Sequence, residues 1–324
     1  MKRCLCCGKP LSAQEESIGW HKRCINKFFD TDELPSLQIN HDEMKKLADL
    51  SVEHHQTIAG VQKKLSLHLS KLSQNRLTLV DYPTGYILKP PSDEYALLPE
   101  TEQLVMTMAD RIGIRTVPHA LIRLQNEQFG YITKRIDRRN TADSDSFQMY
   151  AMEDFCQLMQ RQTADKYSSS YEQCGQVIWK YSSQPGLDLA DFFLRILFCF
   201  VTLNSDMHLK NFSLIEKKPG NRIFTLSPAY DLLPVNLVVS SDKEQTALTL
   251  NGKKKNLHRK DFLILAQHCG INQKAAVNMI QEIILKKDIF MKTVDECSLP
   301  DEVKVSLKEM MADRISALSA GKQN

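Results

Sequence analysis

The segment NSDMHLKN, residues 204–211, brings several groups suited to phosphate chemistry into one short stretch. Asp206 could orient or deprotonate an attacking hydroxyl, Lys210 could neutralise charge on a transferred phosphoryl group, and Asn211 could offer its amide oxygen to Mg²⁺. His208 lies between them and is predicted to support the loop near the phosphates rather than to transfer protons. Because Asp and Asn are both common in polar loops, this pair by itself favours an ordinary loop.

A second acidic candidate, Asp231, follows in the segment IFTLSPAYDLLP, residues 223–234. Apolar residues bracket this carboxylate, and an ionised group in such surroundings is costly unless a cation or a metal pairs with it. We therefore interpret Asp231 as a second Mg²⁺ ligand. A helix N-cap or a turn before Pro234 is the alternative.

A candidate phosphate-binding cation lies upstream, where the segment GYILKPPS predicts a strand that ends in Lys89. This position resembles that of the lysine in kinases that pairs with the phosphates of ATP and lies on an apolar strand. Glu102, in the first turns of the next predicted helix, is its expected partner, and Glu100 competes for that role. A solvent-exposed lysine and an ordinary acidic helix start are the alternatives for each residue taken singly.

The segment TIAGVQKK, residues 57–64, is predicted to be a short turn that approaches the phosphates with its backbone N–H groups and with Lys63 or Lys64. It contains a single glycine, Gly60, and does not match G-x-G-x-x-G. A plain hairpin turn is an equally good interpretation.

The secondary-structure pattern changes along the chain. Up to about residue 133, apolar runs between turn residues predict five strands, namely LSLHL, RLTLVDY, GYILKP, HALIRL and FGYITK, interrupted by one helix, PETEQLVMTMADRIGI. From about residue 146 the pattern is helical, in MEDFCQLMQRQ, LADFFLRILFCFVTL, RKDFLILAQHC, KAAVNMIQEIILKK and DEVKVSLKEMMADRISAL. An α+β chain with two unlike lobes follows.

Composition narrows the class of protein. The chain has 324 residues, of which 42% are hydrophobic, and a net charge of +3, which gives no general argument for nucleic-acid binding. We expect neither direct contact with nucleic acid nor a membrane span. Nine cysteines, five of them scattered singly, indicate reduced thiols. Because the first residues also lack the apolar core of a secretory signal, we expect a cytoplasmic protein, which leaves export into another cell open.

The N-terminal segment CLCCGKPL…WHKRC carries two pairs of metal-ligating residues at knuckle spacing, Cys4 with Cys7 and His21 with Cys24. Three thiolates and one imidazole could hold one tetrahedral Zn²⁺, and Cys6 is surplus. The equal alternative is a small unit with free thiols that the aromatic residues of KFF anchor to the rest of the protein.

Taken together and in order, these motifs resemble the HipA-like serine/threonine kinases, the toxins of bacterial toxin–antitoxin systems. The matching stretches are TIAGVQKKLSL, YILKPPS, TKRIDRR, YAMEDFCQLMQRQTADKY, NSDMHLKNFSL and LSPAYDLLP, within roughly residues 55–235. The block MEDFCQ followed by KY is far more particular to this family than to kinases at large. The resemblance implies a two-lobed, protein-kinase-like α+β fold, with a smaller β-containing N-lobe and a mostly helical C-lobe, that binds ATP with Mg²⁺.

The resemblance also implies roles for individual residues. Lys89 would hold the phosphates, Asp206 would be the catalytic aspartate, and Asn211 and Asp231 would bind the metal. The strand ITKRIDRR would be the hinge, where the backbone at Lys134 and Ile136 meets the adenine.

Regulation and partners are implied in the same way. Members of this family autophosphorylate a serine in the loop that matches TIAG, where this chain has Thr57, with Ala59 at a possible second site. About 55 residues precede the loop, which resembles the short HipT toxins of three-component systems. Their partners are a small antitoxin equivalent to the missing N-terminal subdomain and a helix-turn-helix DNA-binding protein. The family's known substrates are aminoacyl-tRNA synthetases.

We therefore predict a protein kinase of the toxin type, with three segments: a cysteine-containing N-terminal unit and linker at 1–50, an N-lobe at 51–145, and a helical C-lobe at 146–324. A catalytically silent nucleotide-binding scaffold is the main alternative, and a small-molecule phosphotransferase is another.

Overall fold

The computed structural model describes residues 2–37, 64–70, 75–80, 84–92, 94–125, 127–140, 147–239 and 241–319. The chain divides into two compact units. The first unit contains Met1–Gln103 and Val117–Met149, and the second contains Leu104–Thr116 and Tyr150–Asn324. The predicted borders at residues 50 and 145 stay predictions.

A six-stranded sheet forms the frame of the first unit, in the order β1-β3-β2-β4-β6-β5. Its strands are β1 (Ser36–Leu37), β2 (Leu65–Ser70), β3 (Arg76–Val80), β4 (Tyr86–Lys89), β5 (His119–Arg123) and β6 (Phe129–Lys134). β1 pairs with β3 in parallel, and the other neighbours are antiparallel. Alternate side chains of β2 are buried, as expected for a strand with one covered face. All five predicted strands are confirmed.

An aromatic cluster packs the N-terminal segment onto this sheet. Helix α1 (Lys22–Phe29) contributes Phe28 and Phe29, which contact Trp20 and Tyr86 of β4 with ring centroids 4.7–5.9 Å apart. These rings belong to the same buried cluster as the leucines of β2 and β4. The predicted anchoring by KFF is therefore present. A two-stranded ribbon of β7 (Arg138–Asn140) and β8 (Phe147–Met149) completes the unit.

The predicted helix between the strands is confirmed as α2 (Leu98–Ile112). It ends where Gly113 adopts a φ of +92°, a left-handed conformation that glycine adopts without steric strain. The first turns of α2 belong to the first unit and its later residues to the second.

The second unit combines a small sheet with helices. The antiparallel sheet contains β9 (Met152–Asp154), β10 (Ser213–Glu216) and β11 (Phe224–Leu226), in the order β11-β10-β9. The helices are α3 (Phe155–Leu158), α4 (Tyr171–Tyr181), α5 (Pro185–Val201), α6 (Val235–Val238), α7 (Arg259–His268), α8 (Gln273–Leu285), α9 (Lys287–Glu296) and α10 (Asp301–Ser319).

One sequence prediction in this unit, a helix over MEDFCQLMQRQ, was wrong in part. MEDFCQLMQRQ is β9 followed by the single turn α3, because Met152–Asp154 pairs with β10 and Asp154 then caps the turn together with Gln157. Helix α4 begins at Tyr171 and is capped by the Ser170 hydroxyl. Within the described residues, every helix is too short or too polar to cross a membrane.

Candidate functional site

The apolar run FFLRILFCFV forms the buried last part of α5, which delivers the chain to the candidate catalytic loop. The helix ends at Val201, and Leu203 takes a left-handed φ of +64° that turns the backbone. A helix buried on nearly all sides is held rigidly by packing. It therefore gives the polar loop a fixed starting point.

The loop is closed around the backbone carbonyl of Asp206. That oxygen accepts a hydrogen bond from the N–H of His208 and another from the side-chain amide of Asn211, each 2.8 Å long. The N–H of Asp206 donates to the Asn204 side chain at 3.1 Å. Because Asn211 donates its amide hydrogens inward, its side-chain oxygen is the group left for a ligand.

The carboxylate of Asp206 accepts a short hydrogen bond from the hydroxyl of Tyr167. Burial, and then the neighbouring Asp206 charge, raise the pKa of Tyr167 well above its usual range. The hydroxyl therefore remains a donor to this carboxylate. The ring of Tyr167 also contacts the buried ring of His208 edge-on, with centroids 5.1 Å apart, which agrees with a supporting position for His208.

Lys210 forms an ion pair with Asp154, with its ammonium nitrogen 2.7 Å from the carboxylate. Asp154 is the residue that caps α3. Lys210 thus ties the loop to the end of β9. Its predicted contact with a transferred phosphoryl group stays a prediction.

Asp231 follows β11, and its φ of +54° puts it in the left-handed region. The preceding residue, Tyr230, connects this segment to the loop, because its hydroxyl donates to the carbonyl of Lys210 at 3.0 Å and lies 2.6 Å from the Ser213 hydroxyl. Tyr230 therefore joins the segment that carries Asp231 to the loop that carries Asp206 and Asn211. Carboxylate and amide oxygens are the ligands that Mg²⁺ prefers, so the donor set fits that ion.

Lys89 and Glu102 form a second group of predicted site residues, which lies within the first unit. Lys89 is the last residue of β4, and its ammonium nitrogen lies 2.5 Å from the Glu102 carboxylate. Their side chains are only 1% and 0% exposed. Glu102 is thus the partner, and the competing Glu100 is half-buried in a site where desolvation raises its pKa. The ammonium also lies 5.2 Å from the centre of the Tyr131 ring.

The two predicted hinge residues lie at the end of β6. Lys134 directs its side chain to Asp30, at 3.1 Å, and its N–H donates to the carbonyl of Pro118. Proline has no N–H with which to return a bond, so Pro118 leaves the carbonyl of Lys134 available for another donor. Ile136 follows and is partly buried. Thr57, Gly60 and Lys63 lie outside the described residues.

The cysteine segment brings the predicted metal ligands together. Sulfur atoms of Cys4, Cys7 and Cys24 and a ring nitrogen of His21 lie within 4.8 Å of one another. A hydrogen bond with Cys24 is the main cause that holds the pKa of the Cys7 thiol well below its usual range. A hydrogen bond with the same Cys24 is the main cause that raises the pKa of the Cys4 thiol. All nine cysteines of the chain are described and are free of disulfides.

Sequence analysis missed three residues of the site, namely Tyr167, Asp154 and Tyr230. Their contacts join segments 17 to 56 positions apart, which no local spacing reveals. A signal existed for two of them, since Asp154 and Tyr167 lie within the family-specific block that ends in KY. That block indicates that Asp154 and Tyr167 belong to the family pattern, but it does not indicate which residues they contact.

Comparison with known proteins places this arrangement in a family. A family model described as the HipA-like C-terminal domain matches residues 56–288. "Putative kinase Y4dM" of Sinorhizobium fredii is 30% identical over 244 residues, which are 70% of this chain and 57% of that protein. A "Putative kinase" of Haemophilus influenzae is 25% identical over 326 residues, 90% of each chain. The chain thus spans little more than half the length of Y4dM.

Two solved structures share the fold. One is HipA of Shewanella oneidensis MR-1 in its complex with HipB and operator DNA, with a TM-score of 0.67, 16% identity and coverage of 82% of this chain and 65% of that chain. The other is the proinflammatory kinase CtkA of Helicobacter pylori, with a TM-score of 0.52, 16% identity and coverage of 75% and 90%. They confirm the predicted two-lobed α+β fold. The chain belongs to the family of proteins with a HipA-like C-terminal domain.

Proposed function

We propose that this protein is an ATP-dependent serine/threonine protein kinase that acts as the toxin of a toxin–antitoxin system. The observation that carries the proposal is the buried ion pair of Lys89 with Glu102 in the first unit, together with the loop of the second unit in which Asn211 donates to the carbonyl of Asp206. Tyr230 joins the neighbouring segment, which carries Asp231, to that loop. Phosphoryl transfer requires these groups: a cation for phosphate, a carboxylate for the acceptor hydroxyl, and oxygen ligands for a metal.

Each group has a defined task in this proposal. Lys89, held by Glu102, binds phosphate oxygens of ATP. Asp206 orients the acceptor hydroxyl toward the γ-phosphate and accepts the proton of that hydroxyl. Asn211 and Asp231 would hold Mg²⁺, which neutralises charge on the phosphates when bound. The backbone at Lys134 and Ile136 meets the adenine, and His208 supports the loop.

The toxin assignment rests on the family and its partners. The Shewanella HipA structure contains HipB and operator DNA, which supports a DNA-binding helix-turn-helix antitoxin as a partner of this chain. A second, small antitoxin would take the place of the N-terminal subdomain, as in the HipT type. The substrate would be an aminoacyl-tRNA synthetase in the cytoplasm, and phosphorylation of Thr57 would switch the kinase off.

Transfer of labelled phosphate from ATP to proteins of a cell extract tests the proposal. We expect Asp206→Asn to lower the rate about 10²- to 10⁴-fold, the usual contribution of a positioned base. Asp165→Asn, which changes an exposed carboxylate in the short 3₁₀ turn Thr163–Asp165, is the matched control and should keep full activity. Labelled serine or threonine identifies the acceptor.

Two results would contradict the proposal. ATP binding by the wild type without any phosphate transfer would favour a catalytically silent scaffold. Transfer to a small hydroxyl compound, with no labelled protein, would favour a small-molecule phosphotransferase. Autophosphorylation is tested separately by mass spectrometry, since phosphate on Thr57 in the Asp206→Asn protein would show that another kinase places it there.

A further inference from the structure

The cysteine cluster has distances suited to a metal. Nδ1 of His21 lies 3.3 Å from the sulfur of Cys7 and 3.8 Å from that of Cys24. A tetrahedral Zn²⁺, with Zn–S bonds of about 2.3 Å and a Zn–N bond of about 2.0 Å, places sulfur and nitrogen about 3.5 Å apart. The four side chains therefore surround a space of the right size, and they need little movement to bind an ion.

The orientation of His21 is an independent indication. Its other ring nitrogen, Nε2, lies 3.0 Å from the carbonyl oxygen of Pro10. A carbonyl oxygen can only accept, so Nε2 carries the hydrogen and Nδ1 presents a lone pair to the three sulfur atoms. Histidines that bind metals almost always donate their second N–H to a carbonyl or carboxylate in this way.

The backbone around the first cysteine pair is a tight turn. Gly8 adopts a φ of +68°, and its N–H donates to the carbonyl of Cys4 at 2.9 Å. The N–H of His21 points to the sulfur of Cys4 at 3.4 Å. Backbone N–H groups directed at sulfur stabilise the thiolate form that a metal requires. The backbone of His21 thus directs one N–H at the sulfur of Cys4, a proposed ligand.

From this geometry we propose that Cys4, Cys7, His21 and Cys24 bind one structural Zn²⁺. Three thiolates and one imidazole complete a tetrahedron with no position left for water or substrate, which is typical of structural rather than catalytic zinc. Cys6 is not one of the four grouped residues: its sulfur lies 4.0 Å from the carbonyl of His119, although it also neighbours Cys24. On binding, the thiols release their protons to solvent.

The site would hold the N-terminal segment against β5 and against α2, the helix that carries Glu102. The carbonyl of Leu5 accepts from the N–H of Leu121 in β5 at 2.9 Å, and that of Cys6 accepts from the Gln103 side chain at 3.1 Å. Gln103 also lies 2.7 Å from Nδ1 of His119 and directly follows Glu102 in α2. Zinc therefore stabilises the cysteine-containing turn whose backbone carbonyls bond to β5 and to the first turns of α2.

Metal analysis of the full chain, purified without chelator, tests the proposal. We expect one zinc per chain in the wild type and loss of zinc in Cys7→Ser and Cys24→Ser. Cys6→Ser, in the same turn, is the matched control and should keep the metal. A chelator added to the wild type should lower the Tm and increase hydrogen exchange at β5 and at the start of α2, with recovery when Zn²⁺ is restored.

A wild type that contains no stoichiometric zinc, and whose Tm responds neither to Zn²⁺ nor to chelator, would overturn the proposal. If the serine variants do not fold, Co²⁺ added to metal-free wild type replaces them as the test. Thiolate-to-cobalt charge-transfer absorption at one Co²⁺ per chain supports the site, and its absence overturns it. These outcomes do not depend on kinase activity.

Discussion

Two groups of candidate site residues, one within each unit, are built on opposite physical principles. In the first unit, Lys89 and Glu102 are two full charges buried almost completely among strands and a helix. In the second, Asp206 and Asp231 are partly exposed, and backbone and hydroxyl hydrogen bonds hold their segments in place. Lys89 and Glu102 must both be present, because either charge alone would be buried without compensation. Asp206 and Asp231 instead carry charges that solvent can still reach.

This contrast in burial separates residues whose removal alters folding from residues whose removal alters chemistry alone. A buried ion pair loses its solvation, so removing one partner leaves an uncompensated charge in the core. A partly exposed carboxylate keeps much of its hydration, so its removal affects chemistry more than folding. Changes in the first unit should therefore alter both folding and activity, and changes in the second should separate them.

Lys89→Met should have the largest effect on stability. It leaves Glu102 buried without its partner, and we expect the free energy of unfolding to fall by about 3–5 kcal/mol. The double variant Lys89→Met/Glu102→Leu should recover most of that loss while remaining inactive. Urea denaturation measures both. Glu100→Gln is the matched control in the same helix. A double variant no more stable than Lys89→Met would show that the buried charge of Glu102 does not cause the loss.

Acid should destabilise the second unit through Asp261. Burial alone would raise the pKa of Asp261, but hydrogen bonds from Lys253 and Asn251 hold it below its usual range. The unfolded chain therefore binds more protons, so stability falls as the pH drops below about 5 toward the lowered pKa. Asp261→Asn should cost about 1.5–3 kcal/mol near neutral pH and flatten this acid dependence.

The first unit has a matching group in Asp137. Burial again opposes ionisation, and Arg135, followed by Arg138, lowers the pKa. Asp137→Asn is therefore the counterpart of Asp261→Asn in the same denaturation series. An acid dependence that neither variant changes would contradict the assignment of these two carboxylates.

Tyr167→Phe tests the hydrogen bond that the Tyr167 hydroxyl donates to Asp206. A hydrogen bond to an ionised carboxylate favours the ionised form, so its loss should make Asp206 easier to protonate. We expect the acid side of the pH–rate profile to move upward by about one to two pH units, because a hydrogen bond to a charged group contributes about 1.5–3 kcal/mol. Tyr181→Phe, at a partly exposed ring in α4, is the control. An unchanged profile would remove Tyr167 from the positioning of Asp206.

The smallest effect is expected at the ion pair of Lys210 and Asp154, which is partly exposed. Lys210→Met and Asp154→Asn should each reduce stability by about 0.5–1 kcal/mol. Their activities distinguish two roles for Lys210. Equal, modest losses indicate that the pair positions the loop, and a far larger loss in Lys210→Met indicates direct contact of its ammonium with phosphate.

Much of this arrangement was predictable because local patterns determine it. The five strands, α2 with its terminal glycine and the buried α5 each follow from periodicity and turn residues over a few positions. The pairing of Lys89 with Glu102 was expected from the type of element that carries each residue. The split of MEDFCQLMQRQ into β9 and a single turn was not predictable, because its strand depends on a partner, β10, that lies some sixty residues away.

The order of residues along the chain is enough to predict which chemical groups are present: a lysine at a strand end, an acidic helix start, the loop with Asp206 and Asn211, and the pairs of cysteines. The tertiary structure decided their partners: Tyr167 on Asp206, Asp154 on Lys210, and one imidazole facing three sulfur atoms. The reason is that hydrogen bonds and ion pairs depend on distances of a few ångströms in space, and packing of the whole chain sets those distances between residues far apart in sequence.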